Sequence, residues 1–237
     1  MERVHKLFPE GRKKVFTLSY DDGIGQDRRL VDILNQYGIK ATFNLNSGLM
    51  NGKSGWTGLN GLEIKHIDRK EIAELYKGHE VAVHSLNHPF LQKLEEEEIF
   101  HELEEDKKNL EALVGYTVSG MAYPYGTYND TVKAVAKKVG IKYSRTVQQH
   151  FSFVFPEDYL EWHATCHHSF PGLMELAAGF ANSESRTPEL FYVWGHSYEF
   201  DEQENWDMFE QFCRYMGNRE DIWYATNIQI YDHMHSL

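Results

Sequence analysis

Cysteine is scarce in this chain, because Cys166 and Cys213 are the only two among 237 residues. They lie far apart and lack the CxxC spacing of redox or metal-binding cysteine pairs. The sequence therefore does not predict a disulfide scaffold. We expect both thiols to be free and buried, in a reducing cytoplasm.

Basic residues, long apolar runs and linkers are also lacking. The 24 Lys and Arg against 36 Asp and Glu give a net charge of −12, which opposes binding to nucleic acid. No stretch of about 18 apolar residues could span a membrane, and residues 1–14 lack the apolar core of a signal peptide. No Pro-, Gly- or Ser-rich segment divides the chain, so we expect one cytoplasmic domain, residues 1–237.

What the sequence does contain is a repeated pattern of amphipathic helix, glycine and short apolar strand. Glycine just past a helix end supplies the left-handed residue that closes the helix. Short apolar strands separated by helices are typical of parallel βα units. The predicted helices are 28–37, 69–77 (capped by Asp68), 95–114 and 129–139, ending at Gly38, Gly78, Gly115 and Gly140, and the strands that follow are 41–45, 80–84, 120–123 and 141–147.

Further strands at 190–194 and 222–228, and helices at 171–180 and 206–216, bring the count to six or seven units. That number is too small for an eight-fold barrel, so we predict an α/β fold, a distorted, incomplete (β/α)7-type TIM-like barrel. The glycine-rich segment 47–66 is either a lid or cleft wall, or a plain surface loop.

The polar clusters follow the predicted strands, where parallel α/β folds place functional side chains. Asp21 and Asp22 follow the first strand, and His84 and His88 follow the third. The i, i+4 spacing puts both imidazoles on one side, and one carboxylate completes a metal site with open positions for water. An Asp-Asp-Gly sequence is also favoured in tight turns for backbone reasons.

On these residues the chain resembles the polysaccharide deacetylase family, also called the NodB-homology or carbohydrate esterase family 4 domain, from Val15 to about Asp232. The family's first motif appears as Ser19-Tyr20-Asp21-Asp22-Gly23 and its second as His84-Ser85-Leu86-Asn87-His88. The resemblance implies that Asp21 is the catalytic base and that Asp22, His84 and His88 bind the metal.

The third motif appears as Ala122-Tyr123-Pro124-Tyr125-Gly126, and the late Leu-x-His motif as Trp194-Gly195-His196. By this resemblance the backbone N–H of Tyr125 stabilises the oxyanion and His196 is the catalytic acid. We predict that Tyr123, Pro124 and Trp194 contact the substrate.

These residues suit metal-assisted hydrolysis of an acetyl amide or ester on a carbohydrate, without involvement of nucleic acid or membrane. Zinc is the expected cofactor, and imidazole and carboxylate ligands suit cobalt, nickel or manganese nearly as well. Two other functions stay open: a C–N hydrolase of a small cyclic amide or ureide, similar to allantoinases, and a non-catalytic sugar-binding descendant of the enzyme.

Two departures from the family pattern concern the base and the acid. The third-motif arginine, which orients the base, is Ala122 here, and the Asp-rich fourth motif that tunes the acid histidine is absent. We hypothesise that Arg145, at the end of the fifth strand, pairs with Asp21 instead; a surface Arg paired with a helix acid is the alternative.

A run of histidines, Trp162-His163-Ala164-Thr165-Cys166-His167-His168, stands outside the motifs. One of these histidines could lie near His196 or the substrate, or the run could be a strand with alternating, partly exposed imidazoles. A second metal site there would lack a nearby carboxylate to complete it. We expect the C-terminal residues 232–235 to be a frayed tail.

Overall fold

The computed structural model describes residues 7–236; residues 1–6 and 237 of the predicted domain lie outside the described residues. The strands are β1 (Lys14–Asp22), β2 (Ala41–Leu45), β3 (Gly55–Thr57), β4 (Glu63–Lys65), β5 (Glu80–Val83), β6 (Gly120–Ala122), β7 (Tyr143–Gln149), β8 (Trp162–Ala164), β9 (Cys166–His167), β10 (Glu189–Gly195) and β11 (Ile222–Tyr224). The helices are α1 (Asp27–Gln36), α2 (Ile72–Leu75), α3 (Glu96–Val114), α4 (Asp130–Lys138), α5 (Leu173–Ala181), α6 (Glu199–Glu202), α7 (Trp206–Met216) and α8 (Asn227–His235).

A single curved sheet of parallel strands forms the centre of the fold. Its strand order is β8-β7-β6-β5-β2-β1-β10-β9, and β11 also pairs with β1. The strands are mainly buried, as expected for parallel strands covered by helices. Among the strands of residues 7–236, only β3 and β4 lie outside this sheet, as an antiparallel hairpin.

The two ends of this sheet meet through one residue. β8 and β9 are the end strands, and Thr165 alone separates them in the chain. Thr165 bonds to β10 on both sides, donating its N–H to the Tyr192 carbonyl at 2.8 Å and accepting the Tyr192 N–H on its hydroxyl at 3.1 Å. The sheet therefore curls into a distorted, incomplete barrel, which confirms the predicted fold class.

Helix α3 illustrates how the local sequence sets the elements. Glu95 and Glu98 form a reciprocal capping box at its start, and Gly115 ends it with φ 76° and an N–H donated to the Glu111 carbonyl at 2.9 Å. The helix matches its predicted bounds within one residue. The other three predicted helix-ending glycines also have positive φ.

Two predicted elements were wrong. The helix predicted over 69–77 is reduced to α2, because Asp68 accepts the Lys70 N–H at 3.0 Å and holds residues 68–71 in a turn. The strand predicted over 222–228 stops at Tyr224, since Thr226 and Gln229 form a capping box that starts α8. The tail predicted to fray, 232–235, belongs to this helix.

Cys166 and Cys213 are both free and buried, as predicted. Within residues 7–236, no helix combines the length and apolarity needed to cross a membrane.

Candidate functional site

The carboxyl ends of β1, β5, β6 and β10 bring the predicted polar residues to one rim of the barrel. There they line a cavity of about 450 Å³. The predicted site residues that line it are Asp21, Asp22, His84, His88, Tyr123, Tyr125, Trp194 and His196.

Asp22, His84 and His88 form the cluster that could hold a metal ion. The Asp22 Oδ1 atom lies 3.7 Å from Nε2 of each histidine, and the two Nε2 atoms are 3.2 Å apart. Burial and, to a lesser extent, the neighbouring His84 lower the pKa of His88 to about 4. The carboxylates of Asp22 and Asp21 act in the opposite direction but are outweighed. The neutral imidazole is the form that binds a metal.

The hydrogen bond on the far side of His84 tests whether this cluster fits a cation. His84 Nδ1 lies 2.8 Å from the Ala122 carbonyl, which can only accept a hydrogen bond. Nδ1 must therefore carry the hydrogen, which leaves the Nε2 lone pair facing Asp22 and His88. This is the arrangement by which proteins orient a ligating histidine, so the residues fit a divalent metal.

The backbone is strained around these side chains. Asp22, Ser85, His88 and Tyr125 have φ of 78°, 63°, 58° and 58°, values that non-glycine residues rarely adopt. Strain of this kind persists where the surrounding structure fixes it and is concentrated at functional sites.

Asp21, the carboxylate beside Asp22, is buried and held from two sides. Its Oδ2 accepts a short bond from Arg145 Nη2, and its Oδ1 accepts from Asn44 Nδ2 at 2.8 Å. Burial raises the pKa of Asp21, but Arg145, His84 and His196 together outweigh it and lower the pKa to about 2. Asp21 is therefore ionised at neutral pH.

Arg145 is itself 1% exposed and held in place by further contacts. Its Nε donates to Ser19 Oγ at 3.2 Å, its Nη1 donates to the Thr146 carbonyl at 3.0 Å, and its guanidinium lies 4.3 Å from the centre of the Trp194 ring. The contact with Asp21 that we hypothesised from sequence is present, and the surface pairing is not.

His196 follows β10 and faces Asp21, with its Nε2 3.9 Å from Asp21 Oδ2. Its Nδ1 lies 3.4 Å from Oε1 of Glu199, an ion-pair distance. Burial lowers the pKa of His196, but Glu199, Asp22 and Asp21 raise it overall to about 9. The imidazole is therefore protonated at neutral pH.

The comparisons with known proteins agree with this geometry. The polysaccharide deacetylase family model matches residues 9–144, more than half of the chain. This chain belongs to the polysaccharide deacetylase family.

Individual relatives match over part or most of the chain. It is 31% identical over 132 residues to chitin deacetylase 1 of Cryptococcus neoformans, an alignment that covers 54% of this chain and 25% of that protein. The Streptococcus pyogenes deacetylase PplD, solved with acetate, superposes with a TM-score of 0.56 at 25% identity, covering 64% of this chain and 63% of that one. The Xyl-CE4 domain of a multidomain xylanase from the hindgut metagenome of Trinervitermes trinervoides has a TM-score of 0.63 at 18% identity, covering 95% and 93%.

This member of the polysaccharide deacetylase family has Ala122 in place of the third-motif arginine, and the structure shows which residue supplies the guanidinium instead. Arg145 is paired in register with Ala122 on the neighbouring parallel strand. The guanidinium therefore comes from the adjacent strand at the level of the missing third-motif arginine.

The histidine run gives mixed outcomes. His168 is fully buried, so the interpretation as alternating, partly exposed imidazoles was wrong for it. His167 and His168 instead lie near His196 through Glu199, a carboxylate that the sequence reasoning missed. Its position three residues after His196, at the start of a helix, was the available signal. His163 bonds to Thr146 Oγ1 at 2.6 Å and lies outside the cavity lining.

Two of the three residues predicted to contact the substrate lie at the cavity, and one does not. Tyr123 and Trp194 line the cavity, whereas Pro124 is buried and is not among its lining residues, because it begins a tight turn under the strand end. Segment 47–66 forms a cleft wall, since Trp56 on β3 and His66, directly after β4, line the cavity. Leu59 N–H fixes the hairpin to α6 by donating to Glu202 Oε1 at 2.7 Å.

Proposed function

We propose that this chain is a divalent-metal-dependent deacetylase that hydrolyses the acetyl group of an N- or O-acetylated carbohydrate. The observation that carries the proposal is the meeting, in one cavity, of a three-residue ligand set, an ionised carboxylate held by Arg145 and a protonated histidine. Binding of a sugar alone would not need an acid and a base in the same cavity.

Asp22, His84 and His88 would hold the ion, with zinc the first choice and cobalt, nickel or manganese as other candidates. When bound, such an ion polarises the acetyl carbonyl and lowers the pKa of water near it. Three protein ligands leave coordination positions open, as in catalytic rather than structural sites.

The remaining residues supply the proton transfers. Asp21 takes a proton from the attacking water, and Arg145 and Asn44 fix the direction of its carboxylate. The backbone N–H of Tyr125 donates to the oxyanion as the carbonyl carbon becomes tetrahedral. His196 then delivers its Nε2 proton to the departing nitrogen or oxygen as the C–N or C–O bond breaks, which releases acetate.

The substrate class is proposed from the relatives and the cavity. Proteins named as chitin and peptidoglycan N-acetylglucosamine deacetylases match about half of the chain, and the aromatic side chains of Tyr125, Trp194 and Trp56 line the cavity. Aromatic faces of this kind suit packing against sugar rings. The cytoplasmic location inferred from the sequence stays a prediction.

Acetate release tests the function directly. We expect the zinc-loaded protein to release acetate from a panel of N- and O-acetylated mono- and oligosaccharides, and a chelator to abolish the release. Asp21→Asn should lower kcat by about 100-fold or more, because it removes the base. The matched control Asp32→Asn, an exposed position on α1, should retain wild-type activity.

Other outcomes separate the alternatives. Ring opening of cyclic amides or ureides without acetate release would favour the allantoinase-like function. Glycan binding that survives chelation, with no acetate from any substrate, would favour a sugar-binding module. Either result would contradict the proposed deacetylase.

A further inference from the structure

Glu199 begins α6 and faces three histidines. Its Oε2 lies 3.1 Å from Nε2 of His167, 3.1 Å from Nε2 of His168, and accepts the backbone N–H of His196 at 3.1 Å. Its Oε1 is the atom near His196 Nδ1. One carboxylate therefore contacts both the backbone and the ring of the histidine that faces Asp21.

Two histidines beside one carboxylate also resemble a metal site, and the three ligand atoms lie within 4.8 Å of one another. The hydrogen bond on the far side of His167 distinguishes the two cases. Ser169 N–H donates to His167 Nδ1 at 3.2 Å, so Nδ1 is an acceptor. In the neutral ring the hydrogen must then be on Nε2, the atom next to Glu199.

Comparison with His84 indicates whether the cluster around Glu199 suits a cation or an anion. At His84 the far nitrogen faces a carbonyl, so the lone pair faces the cluster and suits a cation. At His167 the far nitrogen faces an N–H, so an N–H faces the cluster and suits an anion. A cation bound through Nε2 of His167 would require the ring hydrogen to move to Nδ1, where it would face the Ser169 N–H and displace its hydrogen bond.

Packing holds the second histidine in place. His168 is fully excluded from solvent, and its ring stacks on Phe200 with the ring centroids 4.1 Å apart. A Cβ at Gly195 would lie 2.1 Å from His168 Nδ1, so only glycine lets the strand before His196 pass this close to the ring.

We propose that His167 and His168 clamp Glu199, and that Glu199 acts as a positioning residue that aims the His196 ring at the leaving group. The inference rests on the proposed function, in which the His196 Nε2–H bond breaks and the proton joins the leaving nitrogen as the C–N bond breaks. Glu199 itself exchanges no proton with the substrate. It fixes the opposite edge of the ring.

A leaving-group comparison tests this role. An N-acetyl group on a sugar needs a proton on the departing nitrogen, whereas the nitrophenolate of 4-nitrophenyl acetate departs without one. We expect Glu199→Gln to lower kcat on an N-acetylated oligosaccharide by about 30-fold or more with KM changed less than about three-fold. The loss on 4-nitrophenyl acetate should be at least ten times smaller, and His167→Gln should show the same selectivity to a lesser degree.

Glu204→Gln is the matched control, because it removes an exposed acid just beyond the same helix, and it should lose neither activity. Equal losses of Glu199→Gln on both substrates would indicate general structural damage and overturn the positioning role. Full activity of Glu199→Gln on the N-acetylated oligosaccharide would overturn the positioning role as well.

Two readouts do not need activity. Nitrogen NMR of the zinc-loaded protein should place the His167 hydrogen on Nε2; a hydrogen on Nδ1 would overturn the clamp. Zinc titration should give one equivalent, lost in His84→Ala and kept in His167→Gln. A second equivalent that disappears in His167→Gln would make the cluster a metal site instead. If the wild type hydrolyses neither substrate, the proposed function fails, and these two measurements still decide the clamp.

Discussion

At the scale of single residues, Arg145 and Ala122 show how a side chain can be supplied from a different strand. They are register partners in parallel strands, so their side chains point to the same face of the sheet. Both positions are buried. A guanidinium on β7 therefore reaches Asp21 where an arginine on β6 would otherwise stand.

This geometry predicts a swap. Arg145→Ala should lower kcat by about 100-fold and destabilise the protein by about 3 kcal/mol, because it leaves the Asp21 carboxylate buried without its cation. Adding Ala122→Arg to that variant should recover at least about ten-fold of kcat, since the guanidinium returns on the paired strand. Acetate-release kinetics and thermal melting measure the two effects separately.

The control is Ala122→Arg alone, which places two guanidiniums beside one carboxylate and should lower both stability and kcat. A double variant no more active than Arg145→Ala would contradict the equivalence of the two positions.

The sequence alone could predict site residues that lie close together along the chain. The i, i+4 pair His84 and His88 is visible in the sequence and meets Asp22 in the structure. Glu199 was missed because its partners His167 and His168 lie at the end of β9, more than 30 residues earlier in the chain, and come near it only after β9 pairs with β10.

At the scale of elements, the inner face of α3 holds the metal-ligand loop. Asp106 accepts the backbone N–H groups of Ser47 at 2.7 Å and of His84 at 3.1 Å. Glu102 accepts the N–H of Asn87 at 2.9 Å. A helix whose sequence is mostly charged thus directs two of its acids into the protein, against the loop that carries both histidine ligands.

We therefore expect Asp106→Ala to weaken zinc binding by about 10- to 100-fold and to lower the melting temperature, because it leaves the buried Ser47 N–H without an acceptor and the His84 N–H with only the Leu45 carbonyl. Competition with a chromophoric chelator measures the affinity. Glu105→Ala on the same helix removes only an ion pair with Lys108 and should change neither quantity appreciably. Equal zinc affinities for the two variants would refute the supporting role of α3.

Elements were predicted well where local signals agree. Helices α3 and α4 combine apolar periodicity with a cap and a closing glycine, and their observed bounds fall within about one residue of the prediction. The region after Tyr224 was misassigned, because the apolar residues Ile228 and Ile230 suit a strand or a helix equally over so short a run. The capping box formed by Thr226 and Gln229 makes this region a helix.

At the scale of the whole molecule, the site is divided between two parts of the chain. The family match covers 9–144, which supplies Asp21, the ligand set and Tyr125. Arg145, His196 and Glu199 all follow it. Closure of the barrel through Thr165 brings the later strands round to β1, and this closure depends on long-range pairing that no local sequence pattern encodes.

Three buried acids make stability depend on pH. Burial raises the pKa of Asp27, Glu80 and Asp106 to about 7. Between their ordinary values and pH 7 the folded protein binds protons that the unfolded chain releases, so these groups make stability fall as pH rises through that window.

Buried histidines act in the opposite direction. Burial lowers the pKa of His79, His88 and His168 to about 4. Between pH 4 and 6.5 the unfolded chain binds protons that the folded protein does not, so stability rises with pH there. The two sets oppose each other below pH 6.5. Above it the acids remain, joined by His196, whose raised pKa of about 9 contributes stability that is lost as pH rises to 9.

The metal-free protein should therefore change little in stability between about pH 4.5 and 6.5, where the two sets cancel, and melt at progressively lower temperature from there up to pH 9. Asp27→Asn should let stability rise with pH up to 6.5 and make the decline just above it shallower, because it removes one of the three titrating acids. Its partners are the hydroxyls of Tyr76 and Ser197, at 2.6 and 2.5 Å, which can rotate to accept from an amide. Asp32→Asn, exposed on the same helix, should follow the wild-type profile in calorimetry. A stability maximum at pH 8 or above, or parallel profiles for Asp27→Asn and wild type, would show that the buried acids do not control the pH dependence.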